Sequence, residues 1–246
     1  MIILYVGNVG AGKTLQAVRE MVKTPWITYY TNIQTKGLPN VHPLTYDMII
    51  KREATGAVSR GKPVYEYKLN TEFWEKLPKP VSIVIDEIHN ILSARSSMSH
   101  VNKIALKWIS LLRRMTGQNE SGYGNLICIT QLGRASDVVL RQMCHRVVYI
   151  RQYYTKVCRD CGFRHNENSD MPQQMEICYK CKSTPPHIGK DSSYSVLFKF
   201  TSVEALDIWK QLGIRSYYCM PKKIFHSERY FKYYDHLQMK DMFSDF

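Results

Sequence analysis

Residues 7–14 read Gly-Asn-Val-Gly-Ala-Gly-Lys-Thr, which fits the pattern G-x-x-x-x-G-K-[ST] in full. An apolar run, Met1–Val6, precedes it. Thr14–Val22 follows, with Leu15, Val18 and Met21/Val22 on one helical face. A strand, a glycine-rich loop and a helix in that order aim backbone N–H groups and a helix N-terminus at one point, where a phosphate is held. The loop predicts a nucleotide-binding α/β protein, with Asn8, Val9, Gly10, Ala11, Gly12, Lys13 and Thr14 as the phosphate-binding residues. A glycine-rich turn that binds nothing is the competing reading, and the flanking strand and helix argue against it.

The chain downstream keeps alternating strand-like and helix-like segments. Strands are expected at Pro25–Thr31, Val64–Leu69, Val81–Ile85, Asn125–Thr130 and Arg146–Ile150. Helices are expected at Thr45–Arg52, Thr71–Lys76, Lys103–Met115 and Ser136–Gln142. Ala57–Lys62 reads as a turn-rich connector, and Ser93–Asn102 as a polar loop. Uninterrupted apolar runs such as Val81–Ile85 suit strands buried on both faces of a parallel sheet. The expected fold is therefore α/β, a mainly parallel central sheet flanked by helices. The expected division is a core at 1–150, a cysteine-bearing insertion at 151–192 and a C-terminal part at 193–246.

Val81–His89 is an apolar strand ending in Asp86-Glu87. A carboxylate at that strand end can share a Mg²⁺ ion with Thr14, and the next carboxylate can deprotonate an attacking water. The pair points to hydrolysis of a nucleoside triphosphate such as ATP. Asn125–Gln131 ends in Thr130-Gln131, where the Gln131 amide can reach the water or the terminal phosphate. An exposed acidic strand end and a simple strand-terminal hydrogen bond are the plainer alternatives.

Taken in order, GNVGAGKT, VSIVIDEIH and NLICITQ resemble the motifs of the additional-strand P-loop ATPases. The likeness is greatest to the FtsK–HerA superfamily, in its zonula occludens toxin-like and viral genome-packaging branch, whose "TNI" stretch is similar to TYYTNI here. The resemblance covers about residues 1–150. It implies a P-loop NTPase fold and an ATPase working as a homo-oligomeric ring, taken as a hexamer, with ATP between subunits. It also implies an arginine donated across the interface. Arg114, with Arg113 beside it, matches that position, and Arg134 and Arg141 are the runners-up.

After the core, Cys158-x-x-Cys161 and Cys178-x-x-Cys181 stand sixteen residues apart, a spacing suited to a structural Zn²⁺ site of four thiolates. Four protein ligands leave no open position for catalysis at the metal. His165 could replace one ligand. Seven cysteines, without a leader-like N-terminus, argue for a reducing compartment. The strand-like runs Arg146–Val157 and Ser193–Phe200 could form a long hairpin with the cysteines at its tip.

Lys and Arg outnumber Asp and Glu by 34 to 21, a formal charge of +13, which favours a polyanionic partner. The function expected from all of this is an ATP-driven motor moving DNA, double-stranded in this reading, as in viral genome packaging or DNA transfer. A virion assembly or extrusion ATPase acting on protein is the first alternative, and a slow nucleotide switch the second. Expected partners include a capsid, portal or membrane-bound virion protein. The expected location is the cytoplasm, that of the host for a viral protein, or the virion. No apolar run is long enough to span a membrane. The loop Ser93–Asn102 is a candidate pore contact. The aromatic-basic tail KKIFHSERYFKYYDHL is expected to pack on its own domain or on a neighbour, with stacking on bases or following a phosphate backbone as the alternative.

Overall fold

The computed structural model describes residues 1–59, 61–88, 100–116, 124–131, 138–170, 177–183, 187–212 and 220–239. Its centre is a mixed sheet. Six strands run parallel, in the spatial order β9 (Arg146–Cys158), β1 (Ile2–Val6), β8 (Leu126–Thr130), β7 (Val81–Ile85), β2 (Thr28–Thr31) and β4 (Val41–Pro43). The loop-bearing strand β1 thus does not touch β7, which carries Asp86-Glu87 at its end. β8 is inserted between them, with Val6 opposite Thr130 and Ile85 opposite Cys128. The loop, the order of the strands and their parallel sense make this the fold of a P-loop NTPase with an additional strand.

β1, β7 and β8 are almost wholly apolar, and both of their faces are covered. On one face, α1 (Lys13–Lys23) buries Leu15, Val18 and Met21 against Tyr5, Val84, Ile127 and Ile129. Each such side chain contributes about 1.5–3 kcal/mol. On the other face, α4 (His100–Met115) and α6 (Val203–Leu212) deliver Trp108, Leu112, Leu206 and Trp209 to a cluster with Leu4, Ile83, Ile85, Leu126 and Tyr149. Trp74, from α3 (Thr71–Glu75), meets Trp108 there at 5.7 Å between ring centroids.

Beyond β9 the sheet turns antiparallel. β11 (His187–Phe200) pairs with β9 along its length, β12 (Met220–His226) pairs with β11, and β10 (Arg164–Asn168) pairs with the other edge of β9. The long hairpin carries the cysteines at its far end. The tail returns to the core: Phe225 is buried, and Tyr230, Tyr233 and Tyr234 pack against the α1 face. β13 (Tyr234–Met239) pairs with β3 (Ile33–Thr35). The aromatic stripe in that tail is a packing device.

Three expectations require correction. Thr45–Arg52 is helical only as α2 (Tyr46–Ile49), and a strand begins at Ile50. Ala57–Lys62 is not a connector but the outer part of an antiparallel ribbon formed by β5 (Ile50–Ser59) and β6 (Lys62–Leu69). Gly56 and Gly61 take positive φ in it. Cross-strand pairing outweighed local turn composition in that segment. His100–Asn102, expected in a loop, form the first turn of α4. Residues 93–99 lie outside the described residues, as do Ser136 and Asp137; the helix expected there is α5 (Val138–Met143).

β1 and β9 close tightly at Gly7. A Cβ there would stand 2.5 Å from the Ile150 carbonyl oxygen, a contact that only a shift of backbone can relieve. Gly7→Ala is expected to destabilise the fold by about 1–3 kcal/mol, the usual cost of overpacking. A lower urea midpoint at unchanged slope is the readout.

Candidate nucleotide site

The phosphate loop links β1 to α1. Gly10 and Gly12 have φ of 73° and 85°, a region costly for residues with a Cβ. The Ala11 N–H donates to the Asn8 carbonyl at 3.1 Å, and the first helical bond runs from the Gln16 N–H to Gly12. The helix N-terminus has no side-chain cap, so its orphan N–H groups face the loop. The Lys13 ammonium donates to the carbonyls of Gly7 and Asn8, each at 3.0 Å. Burial lowers its pKa, opposed by the charges of Glu87 and Asp86. Those two carboxylates and Lys13 therefore share one electrostatic neighbourhood.

Thr14 and Asp86 meet directly: the Thr14 hydroxyl donates to Asp86 Oδ2 at 2.6 Å. Asp86 also accepts the Glu87 N–H on Oδ1 at 2.9 Å. Glu87 has a φ of 53°, rare for a side-chain-bearing residue. Gln131, just past β8, donates its amide to Glu87 Oε1 at 3.1 Å. A continuous arc of bonds thus runs Thr14–Asp86–Glu87–Gln131. It joins the loop, the acidic strand end and the end of the inserted strand.

Residues given no role from sequence complete the site. Asn32, at the end of β2, clamps Asp86 by its backbone. Asn32 Oδ1 accepts the Asp86 N–H at 2.8 Å, and Asn32 Nδ2 donates to the Asp86 carbonyl at 3.0 Å. The trace in the sequence is an amide just after an expected strand; that this strand neighbours the acidic one is seen only in the fold. Tyr234, half-buried in the tail, is raised in pKa first by burial and then by the Asp86 charge. Ser195 of β11 reaches the loop, its Oγ 3.3 Å from the place a Cβ on Gly12 would take, and shares a 3.0 Å hydrogen bond with Ser227. The Asn8 amide donates to the Ser169 carbonyl at 3.2 Å, tying the loop to the segment after β10.

Of the candidate arginines, Arg113 and Arg114 fall in the last turn of α4, with side chains outside the described residues, and Arg134 lies outside them as well. Arg141 is half-buried on α5.

The four cysteines form a separate centre. One Sγ from each can be chosen so that all lie within 4.8 Å of one another. Cys158 and Cys181 are 3.6 Å apart, as are Cys161 and Cys178. A tetrahedron with Zn–S bonds of about 2.3 Å has S···S edges near 3.8 Å, so the cluster fits that ion. The two turns repeat each other. Gly162 N–H bonds the Cys158 carbonyl at 3.0 Å, and Lys182 N–H bonds the Cys178 carbonyl at 2.8 Å. Gly162 and Lys182 hold φ of 66° and 62°. His165 is buried between the rings of Phe163 and Tyr179 and is no member of the four-thiol group. Cys128 and Cys144 are buried in the core, where desolvation raises their pKa, and Cys219 lies outside the described residues.

Neither the protein-family models nor the curated proteins contain a match to this chain. Among solved structures it is similar to the N-terminal domain of zonular occludens toxin from Neisseria meningitidis. That match has 15% identity and a TM-score of 0.49, covering 95% of this chain and 98% of the other. It is also similar to the genome packaging NTPase B204 from Sulfolobus turreted icosahedral virus 2 in complex with ATP-gammaS. There the identity is 13% and the TM-score 0.37, over 60% of this chain and 74% of the other. No helix among the described residues is long and apolar enough to cross a membrane.

Burial raises the Asp86 carboxyl above its ordinary value, so the fold favours its protonated form. That preference helps the protein at acid pH. It is lost as pH rises through the raised value, above which the buried charge costs stability. Asp86→Asn is neutral: its amide oxygen can keep accepting the Glu87 N–H, while its NH2 group donates to the Thr14 hydroxyl in place of the bond Asp86 accepts. It is expected to raise the melting temperature at neutral pH. The gain should shrink as pH falls through the raised value, measured by calorimetry across pH.

Proposed function

We propose that this chain is a Mg²⁺-dependent ATP hydrolase that works as a homo-oligomeric ring and moves double-stranded DNA. The observation that carries the hydrolytic part is the bonded arc from Thr14 through Asp86 and Glu87 to Gln131. It gathers onto one site the residue types that triphosphate cleavage needs. The net charge of +13 favours the polyanionic partner.

In this reading the backbone N–H groups of residues 9–14 and the ammonium of Lys13 hold the phosphates. Lys13 leaves the Gly7 and Asn8 carbonyls to do so. The Thr14 hydroxyl and Asp86 carboxylate are adjacent oxygen donors of the kind Mg²⁺ takes in small number beside phosphates, and the ion would neutralise charge on the transferring group. Glu87 accepts the proton of the attacking water, and Gln131 holds Glu87 and senses the terminal phosphate. Asn32 fixes the Asp86 backbone. Arg114, with Arg113 beside it, reaches the site of a neighbouring subunit, where such a charge is worth about 10³–10⁵ in rate. The four cysteines hold a structural Zn²⁺ ion that organises the hairpin tip. The protein acts in the cytoplasm of the cell in which it is made or with an assembling virion, alongside a capsid or portal component.

Two experiments test this reading. Glu87→Gln is expected to bind ATP and release no phosphate over many turnovers, while Lys13→Ala loses productive binding. Duplex DNA is expected to stimulate hydrolysis by the wild-type chain in an assembly whose solution mass is a multiple of the monomer. Full turnover by Glu87→Gln would falsify its role as base. Hydrolysis indifferent to DNA would turn the reading toward a protein cargo. In the second experiment, a chelator strips metal from the cysteines. Loss of hydrogen-exchange protection is expected near 158–183, with ATP binding largely kept.

A further inference from the structure

The outer end of the cysteine module exposes side chains that a merely structural metal knuckle does not require. Tyr179 is 61% exposed, Ile177 50% and Phe163 40%. Phe163 and Tyr179 flank the buried His165 ring, with centroids at 4.7 and 5.5 Å, and form one aromatic patch. Arg159, Arg164, Lys180 and Lys182 are exposed around it.

The module's acids are arranged oppositely. Among the described residues, Glu167 is buried and pairs with Lys156 at 2.8 Å. Asp170 is turned inward onto Arg151. Among the module's acids whose side chains are described, Asp160 alone is exposed beside the basic groups. Glu167 and Asp170 are used internally, which leaves the described surface basic. β9 also runs parallel to β1, so the module projects from the sheet edge that carries the phosphate loop. From Tyr149, opposite Val6, to Cys158 the strand advances roughly 30 Å.

We propose that this end of the module is a DNA-binding surface, in which Arg159, Arg164, Lys180 and Lys182 meet phosphates and the Phe163–Tyr179 patch packs on sugar and base edges. The proposal rests on the DNA reading above and names where the chain grips. Basic side chains interleaved with exposed rings are the combination by which proteins follow a nucleic-acid backbone, and a packing role would have buried the rings.

The test is fluorescence anisotropy of a labelled duplex of about 30 base pairs, titrated with wild-type protein and with the triple variant Arg159→Gln, Lys180→Gln, Lys182→Gln, between about 50 and 200 mM salt. The variant is expected to bind at least about tenfold more weakly. The slope of log affinity against log salt should be shallower by about 0.9 per lost phosphate contact, or about 2.7 in all. DNA-independent ATP hydrolysis should not change. A single Lys180→Glu variant, with its melting curve, serves if the triple variant does not fold, and is expected to shift affinity in the same direction. Wild-type binding with unchanged affinity and slope in the variants overturns the surface and leaves the motor reading standing. Weaker binding at unchanged slope overturns the phosphate contacts. A wild-type chain that hydrolyses ATP and binds no duplex overturns the DNA reading itself, and assigns the patch to a protein partner.

Discussion

Everything at the nucleotide site depends on how β8 separates β1 from β7. The phosphate loop and the acidic strand end are two strand widths apart, roughly 10 Å, yet Thr14 and Asp86 touch at 2.6 Å. The gap is bridged above the sheet edge, where the first turn of α1 leans toward the end of β7. The inserted strand then has its own terminus between them. That is why Gln131 lies within reach of Glu87. A sheet in which β1 and β7 were neighbours would leave no strand end in that position.

The fold was legible because its signals were strong and local. The loop fixed β1 and α1, and apolar runs of five residues marked β7 and β8 as strands covered on both sides. The four-cysteine spacing marked the tip of a hairpin whose strands both read as β. The segment at 50–62 was misread for the opposite reason. Its strands carry exposed charges and glycines, and their order comes from each other: Ile50 opposite Leu69, Lys51 opposite Lys68, and Glu53 in ion pairs with both lysines. No window of sequence contains that pairing.

The candidate site was legible wherever one residue type can serve only a few purposes. Lys13, Thr14, Asp86, Glu87 and Gln131 are such residues, and the fold brings them together. Asn32, Ser195 and Tyr234 could not be found the same way. Each acts through neighbours far away in the chain, and an amide, a hydroxyl or a phenol is compatible with too many environments. Asn32 is instructive: the clamp exists only because β2 and β7 are sheet neighbours, which sequence order does not state.

The bond from Asn8 to the Ser169 carbonyl joins two regions that are otherwise far apart in purpose. Ser169 follows β10, whose other end begins three residues past the second cysteine of the first knuckle. It is also held to Gln152 of β9 by two hydrogen bonds. Tension on the cysteine-bearing tip would therefore be transmitted along a two-stranded lever to its fulcrum beside the loop. There it must either break the hydrogen bond from the Asn8 amide or drag the peptide whose carbonyl Lys13 grips. The tip and the phosphate loop are mechanically in series, and a pull at one end is felt as a displacement at the other.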